Sequence, residues 1–363
     1  AFNHRRIFLD PNPDAAKSYI ERKRLFNQPG SMWSDYNPNL ISKGGGVYLR
    51  SVKSIKVTPE VRALLGIEKA QVTPHEMIRA ILKAPVTLFW NGGIGTYVKH
   101  SAEHHEEVGD RCNDPVRING NELRCKMIGE GGNLGFTQLA RIEFEQHGGL
   151  INTDFVDNSA GVDCSDHEVN LKILLRGLME AGELTLKQRN ILLVQLTDEI
   201  AELVLQNNKQ QNLALSLASS QVKEFPDLYE RFTCIAEKRG YINREVEFLP
   251  TEKEIQRRKA QGESLTRPEI SVLLSYSKIM LQRDMMESDI LDDPNIQKYA
   301  LTAFPKIIRK KYSKEIRDHY LNAAIVATQL SGQLVTEMGI TFVQQMSDEL
   351  GVKLPMIIKS YVA

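Results

Sequence analysis

The stretch MIGEGGNLGFTQLARIEF, residues 127–144, narrows the folds open to this chain more than any other. A short apolar run, Met127 and Ile128, breaks into Gly129, Glu130, Gly131, Gly132, Asn133 and Gly135. A helical pattern carrying Leu139, Ile142 and Phe144 then starts at once. Glycine admits positive φ and lets backbone approach where a Cβ would exclude it. A strand, a glycine loop and a helix start, in that order, offer free N–H groups and the positive end of a helix dipole to an anion or polar group. The cluster does not read GxGxxG in register, so a tight strand-to-helix turn remains the alternative to a ligand loop.

Two further segments weigh on that choice. Asn91, Gly92, Gly93 and Gly95 follow the apolar run VTLFW, and DNSAGVDCSD, residues 157–166, follows the weaker run LINTDFV. Ligands on parallel sheets sit beyond the carboxyl ends of the strands. Three such ends in one sheet predict one crevice.

The first part of the chain alternates strand candidates (RRIFLD, VTLFW, CKMIG, LINTDFV) with helical segments. One of these is PHEMIRAILKA, opened by Thr73-Pro74, a capping residue followed by proline in the first turn. This grammar predicts an α/β fold with a parallel sheet covered on both faces. From about Cys164 the strand signal fades into long amphipathic segments. Leu192, Leu196, Ile200 and Leu203 fall on one helical stripe. The expected division is 1–163, α/β, and 164–363, all-helical, with loops at Gly182, Gly240 and Asp292-Asp293-Pro294.

At 363 residues the chain can hold two such domains. Lys+Arg and Asp+Glu both total 46, so the formal net charge is zero, which removes the electrostatic footprint of a nucleic-acid binder. No apolar run has the length of a membrane span, and AFNHRRIFLD lacks the layout of a signal peptide, so no membrane partner is expected. Cys112, Cys125, Cys164 and Cys234 show no CxxC spacing and read as free thiols in a reducing cytoplasm. In the basic stretch 306–317, Ile307, Ile308, Ile316 and Tyr320 interleave with the charges at helical spacing, which predicts a solvated face over a core stripe. His100, His104, His105 and Cys112 include no HExxH and no third ligand at fixed spacing, so they read as a polar surface segment and no metal site is expected. No Gly-x-Ser-x-Gly elbow supports serine hydrolysis.

Taken together, IFLDPNPD, ISKGGGVYLRSVKSI, LFWNGGIGTYVK, IGEGGNLGFTQLAR, INTDFVDNSAGVDCSDHEVN and LTRPEISVLLSYSKI resemble the large bacterial NAD-dependent glutamate dehydrogenases along the whole chain. The resemblance implies a Rossmann-like dinucleotide-binding domain, incomplete at its N-terminal end, followed by a C-terminal helical region. It implies NAD as cofactor, and L-glutamate and 2-oxoglutarate with ammonium as reactants. A homo-oligomer in the cytoplasm is also implied. Hydride would pass from the substrate Cα to the nicotinamide ring, the redox chemistry being the cofactor's.

Residue by residue, Glu130, Gly131, Gly132 and Asn133 are similar to the family's Glu-Gly-Ala-Asn turn, which places Asn133 near the nicotinamide ribose. Asn158, Ser159, Ala160, Gly161, Val162 and Ser165 are similar to its Asn-Ala-Gly-Gly-Val and following Ser. Asn158 would then hold the carboxamide and Ser165 the distal carboxylate of the substrate. Asn91, Gly92 and Gly93 would run beside the cofactor. Asn3 would take the place of the acidic residue that receives the adenosine ribose, with Arg5 and Arg6 beside it.

The chain opens at what resembles the second Rossmann strand. The family's first strand with its glycine loop, and its catalytic lysines and aspartate, have no counterpart in these residues. No catalytic residue is therefore assigned. The chain is expected to be part of a longer polypeptide and inactive alone. The rival expectation is a non-catalytic regulatory or assembly module that keeps the fold.

Overall fold

The computed structural model describes residues 1–363 and divides into two compact units, Ala1–Asp154 and Phe155–Ala363. The first unit mixes short strands and helices: β1 (Arg6–Leu9), α1 (Ala15–Phe26), β2 (Gly46–Leu49), β3 (Ile55–Lys56), α2 (Pro59–Leu65), β4 (Gln71–Val72), α3 (Pro74–Leu82), β5 (Leu88–Asn91), β6 (Val98–Lys99), α4 (His105–Val108), β7 (Ile118–Asn119), β8 (Met127–Glu130) and α5 (Gln138–Gln146). The helix start read at Thr73 is present as a full capping box. Thr73 Oγ1 accepts from the Glu76 N–H at 3.2 Å, and Glu76 Oε2 accepts from the Thr73 N–H at 2.8 Å. α3 then buries Met77, Ile78 and Leu82 in a core shared with Ile7, Leu9, Ile55, Val98, Ile118, Ile128 and Phe136.

The strands pair two by two. β5 and β8 are parallel in the register Leu88–Met127 to Asn91–Glu130, and β6 and β7 are parallel with Lys99 opposite Asn119. Single parallel bridges join Val98 to Phe136 and Met127 to Leu150. Two expectations are corrected here. RRIFLD forms β1, but it pairs antiparallel with β2, so it does not lie in a parallel sheet with β5 and β8. Both faces of β1 are nevertheless covered: Ile7 and Leu9 face the main core, and Phe8 stacks on Trp33 at 4.6 Å between ring centroids. LINTDFV contributes only the bridge at Leu150 before turning into the short helix α6 (Asp154–Asp157). Asn, Thr and Asp compete with a strand ladder through their own side-chain hydrogen bonds, and the Asp154 carboxylate is taken by the Leu134 N–H at 2.7 Å.

The second unit contains helices only: α7 (Ala160–Glu180), α8 (Leu186–Glu224), α9 (Pro226–Lys238), α10 (Glu252–Ala260), α11 (Arg267–Met286) and shorter segments around the helix Asn322–Met338. α8 starts at a capping box between Thr185 and Gln188. The stripe read on it holds at three positions: Leu196 is fully buried, and Leu192 and Ile200 pack against the same core, whereas Leu203 is half-buried outside it. α11 packs on Asn322–Met338 and buries Ile270, Leu273, Leu274 and Leu281. The basic stretch 306–317 departs from a continuous amphipathic helix. The backbone breaks at Tyr312 (φ −128°, ψ 37°), so two short helices result. Ile308 and Ile316 reach the core as expected, whereas Ile307 and Tyr320 are left exposed.

Candidate functional site

In the first unit, the carboxyl ends of the parallel pair β5–β8 carry the two glycine clusters. Asn91 and Glu130 are register partners, and the Gly131 N–H donates to the Asn91 carbonyl at 2.8 Å. The two loops then run against each other. The Tyr97 N–H donates to the Gly135 carbonyl at 2.9 Å, and Thr96 Oγ1 to the Leu134 carbonyl at 2.7 Å. This closeness is what the glycines are for. A Cβ on Gly132 would sit 2.9 Å from the Gly93 carbonyl oxygen, one on Gly131 would sit 2.5 Å from the Trp90 ring, and one on Gly135 only 1.7 Å from Asn91 Nδ2. Nothing approaches a Cβ built on Gly93, which leaves open space on that side of the loop.

Leu134 holds a left-handed backbone (φ 60°), an unusual state for a leucine. It is pinned on both sides, by Asp154 through its N–H and by Thr96 through its carbonyl. Thr137 caps α5 immediately after, accepting from the Ala140 N–H at 3.1 Å. The sequence thus builds a strand, a glycine loop and a capped helix as read.

Glu130, also expected among the cofactor contacts, is engaged within the fold. It is fully buried, and Arg141 on α5 binds both its oxygens, Nε to Oε2 at 2.7 Å and Nη2 to Oε1 at 3.0 Å. Arg141 also reaches Asp154 at 3.2 Å. Burial opposes the charge on Arg141, but the hydrogen bonds and charges of Glu130 and Asp154 outweigh it and raise its pKa. A buried carboxylate has to be paired, so Glu130 anchors the loop to α5.

Asn91 behaves differently. It is buried, yet its Nδ2 has no hydrogen-bond partner. An orphaned buried donor costs about 1–3 kcal/mol, and this one lies where the two glycine loops meet. Gly92 and Gly93 follow it in sequence, Gly131 and Gly132 follow its register partner Glu130, and Asn133 sits exposed. A dinucleotide's polar groups fit this arrangement: open space at the Gly93 backbone, an unused amide donor and a capped helix start.

Asn3 does not occupy the end of a strand. It precedes β1, and its Oδ1 accepts from the Arg5 and Arg6 N–H groups at 2.9 and 2.8 Å, closing a turn. The residue at the carboxyl end of β1 is Asp10, which the sequence reading passed over. Its Oδ1 accepts from the Ser42 N–H at 3.0 Å, while Oδ2 is buried without a partner.

The third segment, DNSAGVDCSD, does not follow a strand. In the second unit Asn158 lies between α6 and α7, and Ser165 is exposed on the second turn of α7, its Oγ donating to the Gly161 carbonyl at 3.2 Å. α8 holds this helix start in place. Asn208 Nδ2 donates to the Val156 carbonyl at 2.8 Å and to Ser159 Oγ at 3.0 Å, and Asn207 Nδ2 to Asp163 at 2.8 Å. The structure therefore groups Asn91, Gly92, Gly93, Gly131, Gly132 and Asn133 on one unit, and Asn158 and Ser165 on the other.

The histidine segment serves local turns. His100 Nδ1 accepts from the Ala102 N–H at 2.9 Å, and His105 Nδ1 meets Arg117 Nη1 at 2.8 Å.

Comparison with known proteins brings these features together. The family described as bacterial NAD-glutamate dehydrogenase, catalytic domain, matches residues 1–218, and that described as glutamate dehydrogenase, C-terminal, matches residues 262–363. The chain is 52% identical over 362 residues to an NAD-specific glutamate dehydrogenase of Pseudomonas aeruginosa, and 49% identical over 362 residues to one of Halomonas elongata. It is 46% identical over 370 residues to one of Mycobacterium tuberculosis. Each alignment covers all of this chain but only 22–23% of the relative, so the chain spans less than a quarter of the length of these relatives.

Proposed function

The chain belongs to the bacterial NAD-glutamate dehydrogenase family, and from that premise we propose that it supplies much of the NAD site and part of the substrate site for interconverting L-glutamate with 2-oxoglutarate and ammonium. NAD, when bound, accepts the hydride. The chain's own residues bind and orient. Asn91 and the glycine backbone of residues 92–93 and 131–132 receive the cofactor, with Asn133 toward the nicotinamide ribose. Asn158 holds the carboxamide, and Ser165, by releasing its bond to the Gly161 carbonyl, meets the distal carboxylate of the substrate.

The observation that carries this reading is the orphaned, buried Nδ2 of Asn91 at the junction of two glycine loops on parallel strand ends. In this reading the first unit is a Rossmann-like sheet whose switch point lies at β5 and β8. Asp10, with one carboxylate oxygen unpartnered at the end of β1, is the acid for the adenosine ribose. The functional division we propose runs 1–163 and 164–363, which keeps Asn158 with the nucleotide-binding part; the boundary between the compact units falls after Asp154 in the chain.

No helix is long and apolar enough to cross a membrane, and all four cysteines are free. A cytoplasmic site of action agrees with those thiols. Exposed Val194, Leu205, Leu213 and Leu217 along α8 support self-association into a homo-oligomer.

The test is Asn158→Ala in the intact protein. Loss of one hydrogen bond to a neutral ligand group should weaken NAD about two- to tenfold. In parallel, Asp10→Asn should shift the ratio of kcat/KM values from NAD toward NADP by removing the carboxylate that repels a 2′-phosphate. Unchanged NAD binding and unchanged glutamate kinetics in Asn158→Ala would remove the assignment.

A further inference from the structure

The first unit contains a second polar feature that shares no residue with the glycine loops. A cavity of about 340 Å³ opens at the carboxyl ends of the parallel pair β6–β7, between that edge, α3 and the start of α4. Lys99 and its register partner Asn119 form one wall. Lys99 is only 8% exposed, and its ammonium has three donors. One goes to Asn119 Oδ1 at 2.7 Å and one to the His100 carbonyl at 3.2 Å. Both acceptors are neutral, and Lys99 forms no ion pair with any carboxylate. A buried charge without a counter-charge is costly, and one N–H of this ammonium remains for the cavity it lines.

Arg79, projecting from α3, also lines the cavity; its guanidinium is exposed and makes no hydrogen bond or ion pair, and its charge helps to hold the nearby Glu122 ionised. Of the three acids in the lining, Glu106 is exposed and unpaired, while Glu122 and Glu103 are already committed. Glu122 is paired with Lys83 and accepts from the Asn119 N–H at 2.9 Å, and Glu103 Oε2 accepts from the His100 N–H at 2.6 Å and Thr137 Oγ1 at 2.6 Å. Arg117, also in the lining, is spent on the Thr96 and Asp110 carbonyls, Asp114 and His105. Besides the exposed His104 and Glu106, what the cavity has left to offer is donors on two cations, Lys99 and Arg79.

We propose that this cavity is a binding site for a small oxyanion, a phosphate or carboxylate group received by Lys99 Nζ and the Arg79 guanidinium. Lys99 supplies a fixed point charge at the floor, and Arg79 a mobile fork at the rim that closes over the ligand. The anion would furnish the counter-charge that the fold withholds from Lys99. The proposal is independent of the dehydrogenase reading, since no cofactor or substrate residue takes part.

The experiment is calorimetric titration of the 363-residue chain with inorganic phosphate and, separately, with malonate, ionic strength being held with chloride. Saturable one-to-one binding of at least one anion is expected, the tighter of the two identifying the phosphate or the carboxylate group as the natural chemistry. Lys99→Met should weaken it about tenfold or more, the scale of one charge-assisted hydrogen bond, and Arg79→Ala about three- to tenfold. Arg79 is exposed, so Arg79→Ala and the charge reversal Arg79→Glu keep the question open to refutation should Lys99→Met fold poorly. Absence of saturable binding of either anion in the millimolar range would overturn the proposal, as would affinities that neither Arg79 variant changes.

Discussion

Gly135 lies directly against Asn91, so closely that a Cβ at position 135 would come within 1.7 Å of Asn91 Nδ2. The two loops that leave β5 and β8 are thus fitted to each other at one side-chain amide. Gly135→Ala should force that amide out of a buried position. Overpacking of this kind costs about 1–3 kcal/mol. Urea denaturation of the first unit should show the loss, and NAD affinity should fall with it. A variant as stable as the parent would mean that the loop relaxes without using Asn91.

Arg141 and Glu130 form the second constraint on the same loop. Arg141→Met would leave Glu130 and Asp154 buried with a major partner gone, and breaking a buried pair from one side costs about 3–5 kcal/mol. Arg141→Met combined with Glu130→Gln should recover part of that loss, because the uncompensated charge is removed. Thermal unfolding of the two variants and the parent distinguishes an anchoring pair from a dispensable one: equal melting temperatures for all three would contradict the anchor.

In the helical unit, His319 carries a pH dependence whose sign follows from its contacts. The Leu321 N–H can only donate, so Nδ1 accepts from it at 3.0 Å, and the Asn170 carbonyl can only accept, so Nε2 carries the proton that reaches it at 3.1 Å. The buried ring is therefore neutral, and burial lowers its pKa below the ordinary value of 6.5, the Asn170 bond opposing only in part. As pH falls through 6.5 the unfolded chain takes up this proton before the folded one does. Stability is then lost below that point and is fully present above it. Between pH 7.5 and 5.5, roughly the range in which histidine titrates, unfolding free energy should fall less steeply in His319→Gln than in the parent. Identical slopes would assign the titration to another group.

Much of this fold can be read from residue order, for reasons visible at particular positions. Thr73-Pro74 and Glu76 specify a helix start through local hydrogen bonds alone, and Leu196 marks a buried face because a helix repeats on a short period. Strand partners are another matter. Nothing in RIFL says that it will meet GVYL antiparallel, since pairing depends on how residues 10–45 return the chain. The pairing of Glu130 has no signal among its glycine neighbours, because its partner Arg141 is supplied by the next helix. The turn that Asn3 closes depends on where β1 begins, at Arg6, and residue order does not mark that boundary. The charge state of the cavity at Lys99 depends on three elements meeting and has no local signal.

The central claim is that the amide of Asn91 is kept unpaired in the fold because the cofactor pairs with it. Asn91→Leu tests this most directly, since it removes the donor while retaining a branched side chain of similar reach. The measurement is NAD dissociation constant and unfolding free energy on the same preparation of the intact protein. The account predicts opposite signs: a fold as stable as the parent's or more so, because an orphaned buried donor costing about 1–3 kcal/mol is gone, with NAD bound about two- to tenfold more weakly. Unchanged NAD affinity in a properly folded Asn91→Leu protein would contradict it.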